Sequence, residues 1–486
     1  MHDPDAAPLA AHFERQAGKG RCHNFHAVPW PGTLEADAGG FAHRYRALMT
    51  ANLSLLDGSW TGRAVDSFFS PHGPLAAAQR RAADAFGADA TFFGTCGTTI
   101  SNQIALESLR RPGARVMVDC TAHQSLLFAA EAMEVTPAPQ AGAADAPHVD
   151  VAATAALLAE HAARGRAIDA LVLAATGYDG RRMRLDRALP MLAAASPTTA
   201  LVIDEAWSAL HAFAPQTADL TALAVAARLD RQAPVLVTQS AHKTMAALRQ
   251  GSYLHVLGTA QDIERVRQAT YRIHTTSPSW PILASLDLAR LHAQRHGAAA
   301  FARAAAFRSD LAALLSQDPR TAAFTTPSAP DSFHDDPFYD VDPLVVRLNV
   351  GPQSRAVRDW LFARHHVLVT LARDCLVVRL HAGVTAADVE ALANGLRALA
   401  AGAGPVCGTP PPIRRSDAEP AIGSRSHGYI IPYPPGVPLA RPGDIWTSRH
   451  AAALAHERAR GTEIHHLPPG PRPCGRLATS ASGDDE

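Results

Sequence analysis

Four short apolar runs, at residues 114–119, 170–175, 199–203 and 235–237, each pass directly into polar residues. The first leads to Cys120-Thr121-Ala122-His123-Gln124-Ser125 and the second to Thr176-Gly177-Tyr178-Asp179-Gly180. The third leads to Asp204-Glu205-Ala206-Trp207, and the fourth to Ser240-Ala241-His242-Lys243-Thr244. Continuous apolar runs this short read as buried strands. Strands alternating with helical stretches predict an α/β fold whose strand ends line a crevice. A further apolar run, 252–257, follows the polar knot around Lys243.

An amine at the end of a buried strand loses hydration. Its pKa can fall until it becomes a usable nucleophile. Alone, Lys243 also reads as a surface lysine in a turn between strands, so other stretches decide. Residues 91–102, Thr-Phe-Phe-Gly-Thr-Cys-Gly-Thr-Thr-Ile-Ser-Asn, form a hydroxyl-rich turn before a helical run at 103–109. Amides at a helix start suit a phosphate, and Gly97 lets the backbone come close. A plain N-cap by Thr98 or Ser101 is the alternative. A lone His123 is usually structural and a lone Asp204 usually a cap, but these polar ends fall on consecutive strands.

Asp204 at one strand end and Lys243 39 residues later point to pyridoxal phosphate. Lysine forms an imine with its aldehyde, and a carboxylate keeps the pyridine nitrogen protonated so that the ring accepts electrons. An imidazole such as His123 can cover the ring, and the 98–101 turn can hold the phosphate. The HExxH, GxGxxG and GxxxxGK patterns of competing enzyme classes are absent from the sequence.

The 486 residues allow two or three domains. The expected division is an N-terminal arm at 1–70, wrapping a partner subunit, a large domain at 71–318, a small domain at 319–402, and a proline-rich region with a disordered tail at 403–486. Helices are expected at 74–86, with proline in the first turn, and at 281–315, long enough to bridge two domains. Residues 326–343 read as a loop. In the small domain, 344–350 and 375–380 read as strands, 355–365 as a helix, and 385–399 as a helix capped by Thr385 with Asp388 in its first turn. Residues 403–420 read as a linker. Residues 428–443 are too proline-rich for a central strand and read as rigid extended chain. With about 70 residues ahead of the core, no N-terminal regulatory domain is expected.

Lys+Arg and Asp+Glu both number 45, so nothing in the charge suggests nucleic-acid or membrane-surface binding. Six cysteines without a CxxC pair suit a reduced cytoplasmic setting. The start Met-His-Asp-Pro-Asp is not a basic leader, and no apolar run is long enough to cross a membrane. Cys22, His23 and His26 lack an evident fourth ligand, and no metal site is expected.

The chain resembles the bacterial ornithine/lysine/arginine decarboxylase family from about residue 65 to 450. The resemblance rests on Thr238-Gln239-Ser240-Ala241-His242-Lys243-Thr244 and His274-Thr275-Thr276-Ser277-Pro278. Asp204-Glu205-Ala206-Trp207, Tyr178-Asp179-Gly180 and Tyr433-Pro434-Pro435-Gly436-Val437-Pro438 support it. It implies the aspartate aminotransferase-type fold (fold type I), with a mostly parallel sheet in the large domain and a smaller α+β C-terminal domain. It also implies pyridoxal 5'-phosphate as cofactor, with Lys243 as the Schiff-base lysine, Asp204 on the pyridine nitrogen and His123 stacked on the ring. Ser240 and His242 would lie at the phosphate side, Thr98 and Thr99 in the phosphate turn, and Trp207 beside the cofactor. Thr275, Thr276 and Ser277 would approach the site from a neighbouring subunit of a homodimer, or of a larger assembly of dimers. The implied reaction is decarboxylation of arginine, lysine or ornithine to carbon dioxide and an amine, with Lys243 or His242 as proton donor.

Three departures accompany the resemblance. Ile100 stands where a hydroxyl residue is usual. Asn24-Phe25-His26-Ala27 replaces a Pro-Gly-His-Lys run. Val367-Leu368-Val369-Thr370-Leu371 lacks a glutamate that would pair with a cationic substrate side chain. They leave room for a different amino acid, or for an oxidase, aminotransferase or lyase on the same scaffold.

Overall fold

The computed structural model describes residues 7–18, 22–27, 40–58, 60, 64–142, 148–325, 336–351, 353–372, 375–404, 419–433, 436–459 and 461–468. Its central sheet runs in the spatial order Ala90–Gly94, Ser252–Leu257, Val235–Gln239, Ala200–Asp204, Ala170–Ala174, Arg115–Val118, Glu134–Pro137. Neighbours are parallel except at Ser252–Leu257, which is antiparallel to both of its partners. The sheet is mostly parallel, as expected for an α/β fold, so the strands ending at Asp204 and Gln239 open on the same side.

Successive strand side chains point to opposite faces. Met117, Leu171, Leu173, Leu201, Ile203, Val235 and Val237 therefore join one core. Val116, Val118, Val172, Val202, Leu236, Leu254 and Val256 join the other. The helices Val151–Ala163 and Leu185–Ala195 cover the first face. Gly97–Leu109, Gln124–Ala130 and Ala260–Ile273 cover the second. Burial on both faces is why the strands read as unbroken apolar runs rather than alternating ones.

The helix Trp280–Ser316 has 37 residues, a length of about 55 Å. Leu286, Ala289 and Ala293 pack into the large-domain core. Further along, Arg303 donates to Ala382 O and Arg308 to Val345 O, in the small domain. That domain is an antiparallel sheet of Val345–Asn349, Cys375–Arg379 and Thr370–Ala372 with the helices Ser354–His365 and Ala386–Ala398. Thr385 and Asp388 form the capping box that the sequence indicates.

The N-terminal region is not simply an extended arm. Pro8–Ala17 and Phe41–Arg46 are helices, and Tyr45 and Met49 pack with Ala246 and Leu288. The strand His23–Asn24 pairs in parallel with Val367–Leu368 of the chain's own small domain. His23 Nδ1 lies 2.7 Å from Asp388 Oδ1.

The described residues of 428–443 also do more than run as a rigid extended chain. Tyr429–Tyr433 pairs antiparallel with Glu463–Leu467. Ile430 N–H points away from that ladder, to Ala440 O at 3.0 Å. Two residues on, the nitrogen of Pro432 faces the same outer side, so the ladder loses no donor. Tyr429 and Ile431 join the second core. Within the expected loop at 326–343, Tyr339–Val341 pairs with Arg181–Met183, while residues 326–335 lie outside the described residues. So do 405–418 of the expected linker and 469–486 of the expected tail. No described helix is long and apolar enough to cross a membrane.

Gly297 lies in the long helix where a Cβ would stand 2.6 Å from Phe213 Cβ. Gly297→Ala gains helix propensity but forces two backbones apart. We expect a net loss of about 1–3 kcal/mol, read as a lower melting temperature.

Candidate active site

Lys243 sits in the one-turn helix Ala241–Thr244 that follows the strand Val235–Gln239, so the structure places it at a strand end as expected. Its Nζ stands 4.1 Å from the centroid of the Trp207 ring. Burial brings the amine down to about 8; Asp204 works against the fall and Arg379 adds to it. The chain has 43 arginines but only two lysines, Lys19 and Lys243. Arginine stays protonated in proteins, whereas a lysine can lose its proton and attack. This contrast was a sequence signal for Lys243 that motif reading missed.

Asp204 ends the neighbouring parallel strand, in register with Thr238. One oxygen accepts Ala206 N–H at 2.9 Å and the other accepts Asn102 Nδ2 at 3.2 Å. Asn102 is the organiser that sequence reasoning did not single out. Its Nδ2 also donates to Ser125 Oγ at 3.1 Å, and its Oδ1 accepts the Thr238 hydroxyl at 2.6 Å. Ser125 in turn donates to His123 Nδ1, through its hydroxyl at 2.9 Å and its N–H at 3.2 Å. With Nδ1 accepting, a neutral His123 carries its proton on Nε2. Burial lowers the His123 pKa; Asp204 opposes this and Lys243 reinforces it.

The expected hydroxyl-rich turn at 91–102 divides: 91–94 belong to the strand Ala90–Gly94, and 97–102 open the helix Gly97–Leu109, which begins six residues before the expected run. The plain-cap reading fails there. Cys96 occupies the N-cap without a side-chain cap, Thr98 is inside the helix, and Ser101 bonds Ser252 Oγ at 3.0 Å. Gly97 has φ 73°, a left-handed conformation that suits glycine. The Thr98 hydroxyl meets the Ser240 hydroxyl, joining the helix start to the residue before the Lys243 turn. Thr99 is exposed. His242 Nδ1 donates to Gly251 O at 3.0 Å. Burial takes the His242 pKa to about 4; the Gly251 carbonyl opposes the fall, and Lys243 and Arg249 add to it.

The opposite wall comes from residues that motif reading did not assign. Arg379 ends the small-domain strand Cys375–Arg379, and its Cζ lies 3.5 Å from the Trp207 ring centroid. Its Nη2 donates to Tyr178 O at 2.6 Å, while its Nε is buried with no partner among the described residues. Burial lowers its pKa to about 10, and Asp342 is the largest opposing influence. Tyr178 meets Trp207 edge-on at 6.0 Å, and His26 does so at 5.8 Å. Burial raises the Tyr178 pKa; Arg379, and after it Thr370 in the segment that lacks the glutamate, oppose the rise.

Thr275, Thr276 and Ser277 are exposed, and the hydrogen bond from Ser277 N–H is to Thr275 Oγ1 at 3.2 Å. They are not among the residues converging on Lys243 within this chain. The adjoining His274 accepts Thr95 N–H at 3.2 Å, which ties the segment to the residue just after the strand Ala90–Gly94.

A family model described as "Orn/Lys/Arg decarboxylase, major domain" matches residues 40–344. The chain is 30% identical over 299 residues to the uncharacterized protein YaaO of Bacillus subtilis (strain 168), covering 60% of this chain and 57% of that one. It is 25% identical over 433 residues to an arginine decarboxylase of Halalkalibacterium halodurans, covering 82% and 84%. The crystal structure of the Francisella novicida lysine decarboxylase LdcF superposes with a TM-score of 0.67 at 19% identity, covering 90% of this chain and 77% of that one. At that identity the superposition speaks to the fold alone.

Two measurements check this geometry. In cofactor-free protein the neutral, nucleophilic amine of Lys243 should accumulate as pH rises through about 8. Modification of the Lys243 peptide by an amine reagent, followed by mass spectrometry, should show that midpoint; one near the ordinary lysine value would contradict it. Asn102→Leu removes the bridge between Asp204, Thr238 and Ser125 and should cost about 1–3 kcal/mol in denaturant unfolding.

Proposed function

The chain belongs to the Orn/Lys/Arg decarboxylase family, and we propose that it is a pyridoxal-phosphate-dependent decarboxylase of a basic amino acid, arginine, lysine or ornithine, releasing carbon dioxide and an amine. The observation that carries this reading is a buried strand-end lysine whose amine shares the Trp207 ring with the Arg379 guanidinium, beside the parallel strand that ends in Asp204.

The residues fit the cofactor. Lys243 would be the amine that holds it through its aldehyde. Asp204, fixed by Asn102 and Ala206, is placed to keep a pyridine nitrogen protonated. His123, oriented by Ser125, would be the imidazole that covers it. No side chain caps the start of the helix Gly97–Leu109; Gly97 N–H bonds Gln250 O, and the amides after it, with Thr98 and Ser240, offer donors to a phosphate. When bound, pyridoxal phosphate supplies an electron sink for the pair left behind as the carboxylate departs.

The other groups act on the substrate. Arg379 attracts its α-carboxylate, and its Nε–H, without a partner among the described residues, is a donor for one carboxylate oxygen. Trp207 and Tyr178 exclude water from that side. His242 is neutral at pH 7 and a weak proton source, since its pKa is about 4. The Lys243 ammonium, near 8, is the better proton donor to the substrate α-carbon. Thr275, Thr276 and Ser277, exposed beside the helix start, suit contact with the site of a neighbouring subunit in a homodimer.

Purified protein given L-arginine, L-lysine and L-ornithine should release equal amounts of carbon dioxide and amine from at least one. A keto acid and ammonia without carbon dioxide would overturn the reading in favour of another outcome on this scaffold. Lys243→Ala should lower turnover by at least about 10³-fold.

A further inference from the structure

Two nitrogen atoms in this site are buried and bond to nothing in the described chain: Nε of Arg379 and Nδ1 of His26. Their segments are neighbours, because Arg379 N–H donates to Phe25 O at 2.9 Å. Both side chains rest on one indole. Arg379 Cζ is 3.5 Å from the Trp207 ring centroid, and the His26 ring is edge-on to it at 5.8 Å and 81°. Lys243 Nζ is 4.1 Å from the same ring. Buried polar atoms normally have partners. Two without them at one indole mark where a polar group of the ligand belongs.

His26 is held there firmly. Its N–H donates to Asn24 Oδ1 at 2.8 Å, as does Ala27 N–H at 3.3 Å. Asn24 O accepts His381 Nε2 at 2.8 Å, and Phe25 N–H donates to Leu368 O at 2.8 Å. The turn that presents the imidazole is therefore pinned to the small domain on both sides.

We propose that His26 is a substrate-binding residue whose Nδ1–H hydrogen-bonds the α-carboxylate that Arg379 attracts. The inference rests on the amino-acid reading of the site. The two contacts differ in kind. Arg379 is a cation and stabilises the very charge that the carboxylate must give up as it leaves as carbon dioxide. His26 is neutral: burial first, then Arg379, Lys243, Arg249 and His242, bring its pKa to about 4. It orients a carboxylate oxygen without adding positive charge, and so holds the scissile bond in place at less cost to its breaking.

The test uses the holoenzyme, titrated calorimetrically with propanoate, butanoate and pentanoate and with the matching amides. Wild type should bind the acids and not the amides. His26→Ala should weaken acid binding about tenfold, and His26→Asn, which keeps a side-chain N–H at similar reach, should stay within about threefold of wild type. Melting temperature and the cofactor absorbance should be the same in all three. Equal acid binding by wild type and His26→Ala would overturn the proposal alone. Equal weakening in both variants, with a lower melting temperature, would also overturn it, by assigning His26 a purely structural role. A wild type that binds none of the acids would overturn it together with the reading it rests on.

Discussion

A buried lysine keeps its charge only if a neighbour replaces the hydration it has lost. At Lys243 the replacement is partial. Asp204 favours the ammonium while burial and Arg379 oppose it, and the amine settles at about 8. That balance leaves the amine divided between its neutral and protonated forms near pH 8, and much of the site sets the positions of the two charged neighbours. Asp204 is fixed through Asn102, whose amide spends both hydrogens and its oxygen on three neighbours. The Lys243 turn is fixed through Ser240, tied to Thr98 at the helix start.

The second charge arrives from another part of the fold. Arg379 lies on the small-domain sheet, and the long helix Trp280–Ser316 carries that sheet against the large domain. The N-terminal segment then adds itself to the small domain through His23–Asn24. Because Arg379 N–H bonds Phe25 O, the guanidinium and the His26 imidazole are presented to Trp207 as a unit. Three stretches far apart in sequence therefore meet at one indole.

The core of the fold was legible because its strands are buried on both faces and end in polar residues. Ala170–Ala174 and Ser252–Leu257 appear almost where the apolar runs stand. The start of the helix Gly97–Leu109 was harder to see, since glycine and threonine argue against helix in general but not in a first turn. Tyr429–Tyr433 was hidden by Pro432, whose missing N–H matters only on a side the sequence does not reveal. Lys243, Asp204 and the 97–102 turn could be read as a set because each has a local signature. Arg379 has none: it ends an apolar run and is one of 43 arginines, and only its packing on Trp207 sets it apart. His26 and Asn102 matter through partners that lie more than a hundred residues away in sequence, at Trp207 and Asp204.

The proposed chemistry is built on one amine. Because Lys19 is the only other lysine, borohydride reduction of the holoenzyme followed by peptide mapping gives a clean answer. The account predicts the reduced cofactor covalently attached to the peptide that contains Lys243, one per chain. Attachment at Lys19, or no covalent attachment in a protein that still binds the cofactor, would contradict it.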